Sequence, residues 1–253
     1  MFYFDDFYGK KVLKSTLLDG CEHFFTTRDF PLFQGTRDDL KIPAEKNVNF
    51  LIEKLDIDKN ALYRCKQMHT ANVEFAENNN NFFDNTDGII LTNPNTATFL
   101  NFADCIPIIL YDPVENIGGV VHAGWRGTAS KIQQNAVKMM VSRGSKPENI
   151  RAAIGAGIGK CCFDVNEDVF EKIYDGVDRN SAKETFSFDE KNGKYFVDLK
   201  VVNKILLNEM YVHQVDVSDY CTYCNNDVFF SYRKENGDTA RHSALLKINK
   251  KDK

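Results

Sequence analysis

The 253-residue chain contains no apolar run near the roughly 18 residues needed to cross a bilayer. That excludes a transmembrane helix and a membrane partner. The opening Met1-Phe2-Tyr3-Phe4-Asp5-Asp6 turns acidic at once and lacks the basic-then-apolar layout of a signal peptide. A cytoplasmic protein is expected. Basic clusters are scarce too: Lys247 to Lys253 is the only one, and the net charge is −4. Neutralising a phosphate backbone takes a clustered basic face, so nucleic acid is not an expected partner. The tail reads as a frayed, solvated terminus. Histidine is limited to five positions and tryptophan to one. No internal repeat and no Pro/Gly/Ser-rich linker divides the chain.

A hydrophobic fraction of 43% is that of an ordinary globular protein, and 253 residues suit one domain with a sizeable core. Seven cysteines at irregular spacing do not form a disulfide framework. Cys221 and Cys224 make a single C-x-x-C, and Cys161 and Cys162 are adjacent. Both pairs read as small buried residues, the adjacent two pointing to opposite faces of an extended segment. The polar stretch Glu77 to Gly88, with the run Asn78 to Asn81, reads as a surface loop.

Apolar spacing predicts a helix over Ala44 to Leu55, another from about Thr128 to Ser142 stopped by Gly144, and a third from Leu199 to Met210 capped by Asp198. Short β-branched or aromatic runs predict strands at Ile89 to Leu91, Thr96 to Phe102, Ile106 to Tyr111, Ile117 to His122, Phe229 to Arg233 and Ala244 to Ile248. Mixed elements in one domain imply an α/β or α+β layered fold.

His122 ends an apolar strand and is followed at once by Ala123-Gly124-Trp125-Arg126-Gly127. A side chain there sits at the mouth of a sheet, where α/β enzymes often place ligands. Glycines let the backbone approach a ligand, a helix start at Gly127-Thr128 offers N–H groups to an anion, and Arg126 adds a guanidinium fork. Cys105 begins the preceding strand, so pairing of the two strands brings thiol and imidazole close. His69, in Gln67-Met68-His69-Thr70, is the third candidate. A borderline-soft ion such as zinc accepts thiolate and imidazole, and three protein ligands leave a fourth position for water or substrate. Spacing alone does not separate this triad from three buried, satisfied side chains. His23, beside an early strand, His213, after a helix, and His242, in a polar loop, read as core or surface residues. Trp125 serves either to stack on a base or to close its turn by packing.

Seven blocks, in order over nearly the whole chain, carry a resemblance: Phe25-Thr26-Thr27-Arg28, Gln67-Met68-His69, Thr86-Asp87-Gly88-Ile89, Ala103-Asp104-Cys105-Ile106-Pro107, Val121 to Thr128, Cys221-Thr222 and Phe229 to Arg233. The sequence resembles the YfiH family, also called the laccase-domain or polyphenol-oxidase family, regarded as purine nucleoside phosphorylases. The resemblance implies that His69, Cys105 and His122 are zinc ligands. It implies a four-layer α/β/β/α arrangement with mixed sheets, and phosphorolysis of adenosine, inosine, guanosine and methylthioadenosine. Adenosine deamination is implied as a side activity.

The expected partners are therefore a purine nucleoside and phosphate, with the chain a monomer or homodimer. Arg126 is the first candidate for the anion, with Arg28 or Arg233 beside it. Departures from the family pattern fall at Asp29 to Leu32, Val48, Ala156 and Ala240. They leave the triad intact and bear on substrate preference and on any phosphate role between Arg28 and Asn47. Two other enzyme readings remain. One is copper-dependent oxidation of phenols, for which five histidines are too few to build a coupled copper cluster beside an electron-transfer site. The other is a cysteine hydrolase editing cell-wall precursors, with Cys105 as nucleophile and His122 or His69 as base. A fourth reading, a structural zinc in a binding protein, lacks an obvious fourth ligand.

Overall fold

Alternate residues along the central strands enter different cores, and this alternation builds the layers. In the computed structural model, which describes residues 1–33, 44–77 and 80–250, Ala97 and Phe99 face one core while Leu100 and Phe102 face another. The first sheet runs, edge to edge, Phe2–Asp6, Lys11–Ser15, Glu22–Thr26, His242–Lys247, Ala97–Phe102, Leu62–Cys65 and Phe82–Phe83. Its central strand, His242–Lys247, is antiparallel to both neighbours, while Leu62–Cys65 is parallel to its own. The second sheet runs Gln214–Val217, Arg151–Ile154, Ile106–Asp112, Ile117–Ala123, Gly88–Leu91 and Val73–Phe75, with parallel pairs at both edges. A small antiparallel sheet joins Asp164–Val165, Lys194–Val197 and Phe186–Asp189.

Leu13, Phe25, Leu100 and Leu246 of the first sheet meet Ile89, Ile109, Val120 and Ala153 of the second. The first sheet's other face is covered by helix Glu45–Leu55 through Val48, Leu51 and Leu55. The second sheet's other face packs Ile108, Leu110 and Val121 against helices Ile132–Ser142, Glu167–Tyr174 and Leu199–Asn208. The four-layer α/β/β/α order with mixed sheets is thus the one expected. Among the described residues no helix is long and apolar enough to cross a membrane.

Several local readings hold. Gly144 stops its helix at φ +104°, and the Asp198 carboxylate accepts the N–H groups of Lys200 and Val201, both at 3.1 Å. Others need correction. The helix expected over Thr128 to Ser142 is two, Trp125–Ala129 and Ile132–Ser142, broken where Lys131 turns left-handed at φ 57°. Gly127 and Thr128 therefore lie inside a helix, with the Thr128 N–H bonded to the Gly124 carbonyl at 2.8 Å, so that helix start offers no Thr128 donor to an anion. Phe229 to Arg233 is not a strand but an irregular stretch leading into a turn at Tyr232. There the Glu235 carboxylate collects the Ser231 N–H, the Asn226 amide and Arg28, a local network that outcompetes ladder pairing.

His242 lies in the central strand, fully buried between the rings of Phe102 and Phe229, not in a polar loop. Lys247 ends that strand, and its ammonium donates to the Leu55 carbonyl, so the basic tail is anchored where it begins. Cys161 and Cys162 sit in a turn, not an extended segment, and Cys161 and Cys224 are exposed. Residues 34–43, Asn78 and Asn79, and residues 251–253 lie outside the described residues. Part of the readings for the Arg28 to Asn47 segment, the asparagine run and the tail goes with them.

The Asp198 cap offers a direct test of the helix that brings Leu199 to the cavity described below. Asp198→Ala is expected to cost about 1 kcal/mol, seen as a lower urea midpoint with unchanged slope. An unchanged midpoint would contradict this role for the carboxylate.

Candidate active site and metal centre

Strands Ile106–Asp112 and Ile117–Ala123 pair antiparallel with Pro107 opposite His122 and Ile106 opposite Ala123. This register places Cys105, one residue before its strand, beside the end of the other. The loop after Leu62–Cys65 supplies His69, in left-handed backbone at φ 62°. The Cys105 Sγ lies 3.8 Å from His69 Nε2, and one ligand atom from each of His69, Cys105 and His122 falls within 4.8 Å of the others. The two imidazole rings meet edge to face at 4.8 Å. All three predicted residues therefore converge.

One carboxylate organises them. Asp87, fully buried at the head of strand Gly88–Leu91, accepts the backbone N–H groups of Met68, His69 and Thr70 and the Thr70 hydroxyl. The same carboxylate lies 2.8 Å from His122 Nδ1, which turns Nε2 towards the cavity. Gln67 ties the loop to the first sheet through two hydrogen bonds with the Asn101 backbone. On the far side Asp104, at φ 84°, accepts the Thr222 hydroxyl at 2.6 Å and the Arg233 N–H at 2.7 Å. Gly124 permits a close approach: a Cβ there would stand 3.0 Å from Cys105 Sγ and 3.2 Å from His69 Cδ2 and would press both side chains out of place. The sequence assigns Gly124 to close backbone approach but gives Asp87, Asp104 and Gln67 no such roles. Position inside the quoted blocks was the one available signal.

The electrostatics are those of a charged pair. Burial would raise the Cys105 thiol, but His122 and His69 outweigh it and bring the thiol down to about 6. Burial would likewise lower His122, yet Cys105 and Asp87 raise it to about 9. Asp87 resists its own desolvation through His122 and Thr70 and is held at about 2. Its folded form thus gains stability above the ordinary carboxylate range, lost as pH falls towards 2. Two imidazoles and a thiolate at these separations suit a tetrahedral ion with nitrogen and sulfur ligands. The donor set fits a metal.

The three converging residues open on a cavity of about 640 Å3. Trp125, Phe163 and Tyr232 line it, as do four cationic side chains, Lys66, Arg126, Arg233 and Arg241. Arg126 stacks its guanidinium 4.2 Å over the Trp125 ring and has no carboxylate partner among the described residues. Arg233 pairs with Asp164. Arg28 lies apart from the lining, bound to Glu235 and to the carbonyls of Asn226 and Phe229. Arg241, not singled out by the sequence, stands in the lining beside Tyr232. The groups His69–Cys105–His122 and Cys161–Cys162–Cys221–Cys224 are the two potential metal clusters among the described residues, so His23, His213 and His242 join neither.

Residues 32–249 match the sequence model of a family described as multi-copper polyphenol oxidoreductase laccase. The purine nucleoside phosphorylase YlmD of Bacillus subtilis is 33% identical over 64% of this chain, and the match spans 58% of that relative's length. A purine nucleoside phosphorylase of Deinococcus radiodurans is 30% identical over 91% of this chain and 90% of its own. A protein named adenosine deaminase RL5, from an unknown prokaryotic organism, is 29% identical over 73% and 74%. The crystal structure of Bacillus licheniformis hypothetical protein YfiH superposes with a TM-score of 0.84 at 30% identity, covering 97% of this chain and 99% of that one.

Two outcomes test this geometry. In chelator-treated protein, Cys105 alkylation is expected to rise with pH about a midpoint near 6, where an ordinary thiol turns near about 8.5. Asp87→Asn should weaken metal affinity by about 10–100-fold, the usual cost of removing a ligand's supporting partner, measured by competition with a chromophoric chelator. Unaltered affinity would remove Asp87 from the centre.

Proposed function

The chain belongs to the multi-copper polyphenol oxidoreductase laccase family, and from that membership we propose that it is a zinc-dependent purine nucleoside phosphorylase. In this reading residues 1–253 form one catalytic domain acting on adenosine, inosine, guanosine and methylthioadenosine, with adenosine deamination as a side activity. Its seven cysteines, none in a disulfide, suit the reducing cytoplasm, where it would act as a monomer or homodimer. Relatives named purine nucleoside phosphorylase and adenosine deaminase support the reaction class.

The observation that carries the proposal is one cavity holding His69, Cys105 and His122 together with aromatic faces and cations. Its volume, about 640 Å3, suits a nucleoside with phosphate. The faces of Trp125, Phe163 or Tyr232 would take the flat base. Arg126, held in place by Trp125 and with no carboxylate partner among the described residues, would hold phosphate, with Arg233 and Arg241 nearby. Phosphorolysis forms a bond from a phosphate oxygen to C1′ of the ribose while the glycosidic pair of electrons leaves with the base, so charge must be stabilised at both ends. A metal held by His69, Cys105 and His122 would supply Lewis acidity and lower the pKa of water in the site. Asp87 keeps His122 in the required tautomer and His69 on its loop.

Two competing readings keep specific support. A single copper would accept the same two imidazoles and thiolate, with Met68 also in the cavity lining. Three of the five histidines lie outside the centre, which disfavours a coupled copper cluster. Cys105 beside His122 and Asp87 also has the parts of a nucleophile, base and orienting carboxylate, as a cysteine hydrolase editing cell-wall precursors would need.

Cleavage of adenosine or inosine is expected to require inorganic phosphate and to yield ribose 1-phosphate. Arg126→Ala should raise the KM for phosphate by about tenfold or more, the worth of a charge-assisted hydrogen bond, and leave the nucleoside KM nearly unchanged. Equal cleavage without phosphate, releasing free ribose, would redirect the case to hydrolysis. The role of Cys105 is read separately. With metal bound, its alkylation should be slow, and chelation should expose it. Cys105→Ser should lose metal and phosphorolysis in parallel, whereas a covalent substrate adduct on Cys105 in fully active protein would favour the hydrolase.

A further inference from the structure

The two cysteine pairs, 63 residues apart at their outer members, meet in one cluster. Cys161 Sγ lies 3.7 Å from Cys224 Sγ and 3.5 Å from Cys162 Sγ, and Cys162 Sγ lies 3.5 Å from Cys224 Sγ. With Cys221, all four sulfurs fall within 4.8 Å of one another. These separations are far beyond a disulfide bond of about 2.05 Å. They approach the edge of a tetrahedron with metal–sulfur bonds of about 2.3 Å, which is about 3.8 Å.

The backbone is arranged for the same purpose. Cys221 Sγ accepts the Gly159 N–H at 3.2 Å and also the N–H of Cys224, so the C-x-x-C turn folds its own donor onto its first sulfur. Such N–H groups stabilise a thiolate. Gly159 leaves room for the approach: a Cβ there would stand 3.1 Å from Cys221 Cβ and 3.3 Å from Cys161 Sγ. Four thiolates so close would repel one another, so all four can be deprotonated together only with a cation between them.

We propose that Cys161, Cys162, Cys221 and Cys224 hold a second, structural zinc ion in a closed four-thiolate site. Four protein ligands leave no position for water, so this ion performs no chemistry and joins two segments. Both segments reach the cavity. Phe163, next to Cys162, lines it, and Thr222, inside the C-x-x-C turn, donates to Asp104 beside Cys105. Arg233, also in the lining, pairs with Asp164 of the first segment. The ion would thus clamp one wall of the cavity against the loop that presents Cys105.

The test is metal stoichiometry on the full chain, with zinc as the probe. Wild-type protein is expected to bind about two equivalents, and Cys161→Ser/Cys224→Ser, which alters only exposed positions, about one. His69→Ala/His122→Ala should also retain about one. Loaded with cobalt, that variant should show the intense thiolate charge-transfer bands of four sulfur ligands. If the serine variant fails to fold, protection in wild-type protein decides: zinc should shield all four cysteines from alkylation and a chelator should release them together. Unchanged zinc content in the serine variant would overturn the proposal. So would a Cys161–Cys224 or Cys162–Cys224 disulfide in metal-free protein as isolated, since that identifies a redox pair.

Discussion

The site depends on one buried carboxylate. Asp87 holds the Met68–Thr70 loop through three N–H groups and a hydroxyl, and holds His122 through its ring nitrogen. Two of the three converging residues are therefore positioned by a single side chain, and the third arrives by strand register, with Asp104 beside it held by Thr222 and Arg233. A charge with no exposure is costly unless every lone pair is met, and here each is met by a group that the site needs in place. The desolvation that would ordinarily expel a carboxylate becomes the reason why the loop cannot drift.

That arrangement also explains what the sequence could reveal. Local chemistry was legible where one residue acts on its neighbours: the Asp198 cap, the Gly144 stop, and the strand that delivers His122 to its end. The triad was legible through the blocks around His69, Cys105 and His122. Illegible were roles defined by partners far along the chain. Asp87 sat in a polar stretch that read as surface, because nothing local says that Thr70 and His122 will surround it. Thr222 and Asp104 are 118 residues apart, and no periodicity links them. The aromatic run at Phe229 to Arg233 misled for the opposite reason: its composition suits a strand, but Glu235 offers its backbone a closer partner.

The layers contribute position and dryness. The inter-sheet core ends at Phe102, whose ring touches His122 on one side and His242 on the other. His242, pushed down to about 3 by burial, stays neutral and packs as an aromatic spacer. His122 is thus held between the Asp87 carboxylate at its Nδ1 and the Phe102 ring, and shares its cavity with four cationic side chains.

The strand His242–Lys247 fills the middle of the first sheet, between Glu22–Thr26 and Ala97–Phe102. During synthesis its neighbours are made long before it. At about 5–20 residues per second, roughly 7–28 s separate Phe102 from His242 on the ribosome. Through that interval both flanking strands present unpaired edges, and Phe25 and Leu100 have no completed sheet to lie on. The nascent chain therefore carries a gap in its centre rather than a loose end, a state that invites pairing with other chains. Closing that gap also buries the aromatic spacer behind His122, so the cavity acquires its dry wall only as the sheet is completed.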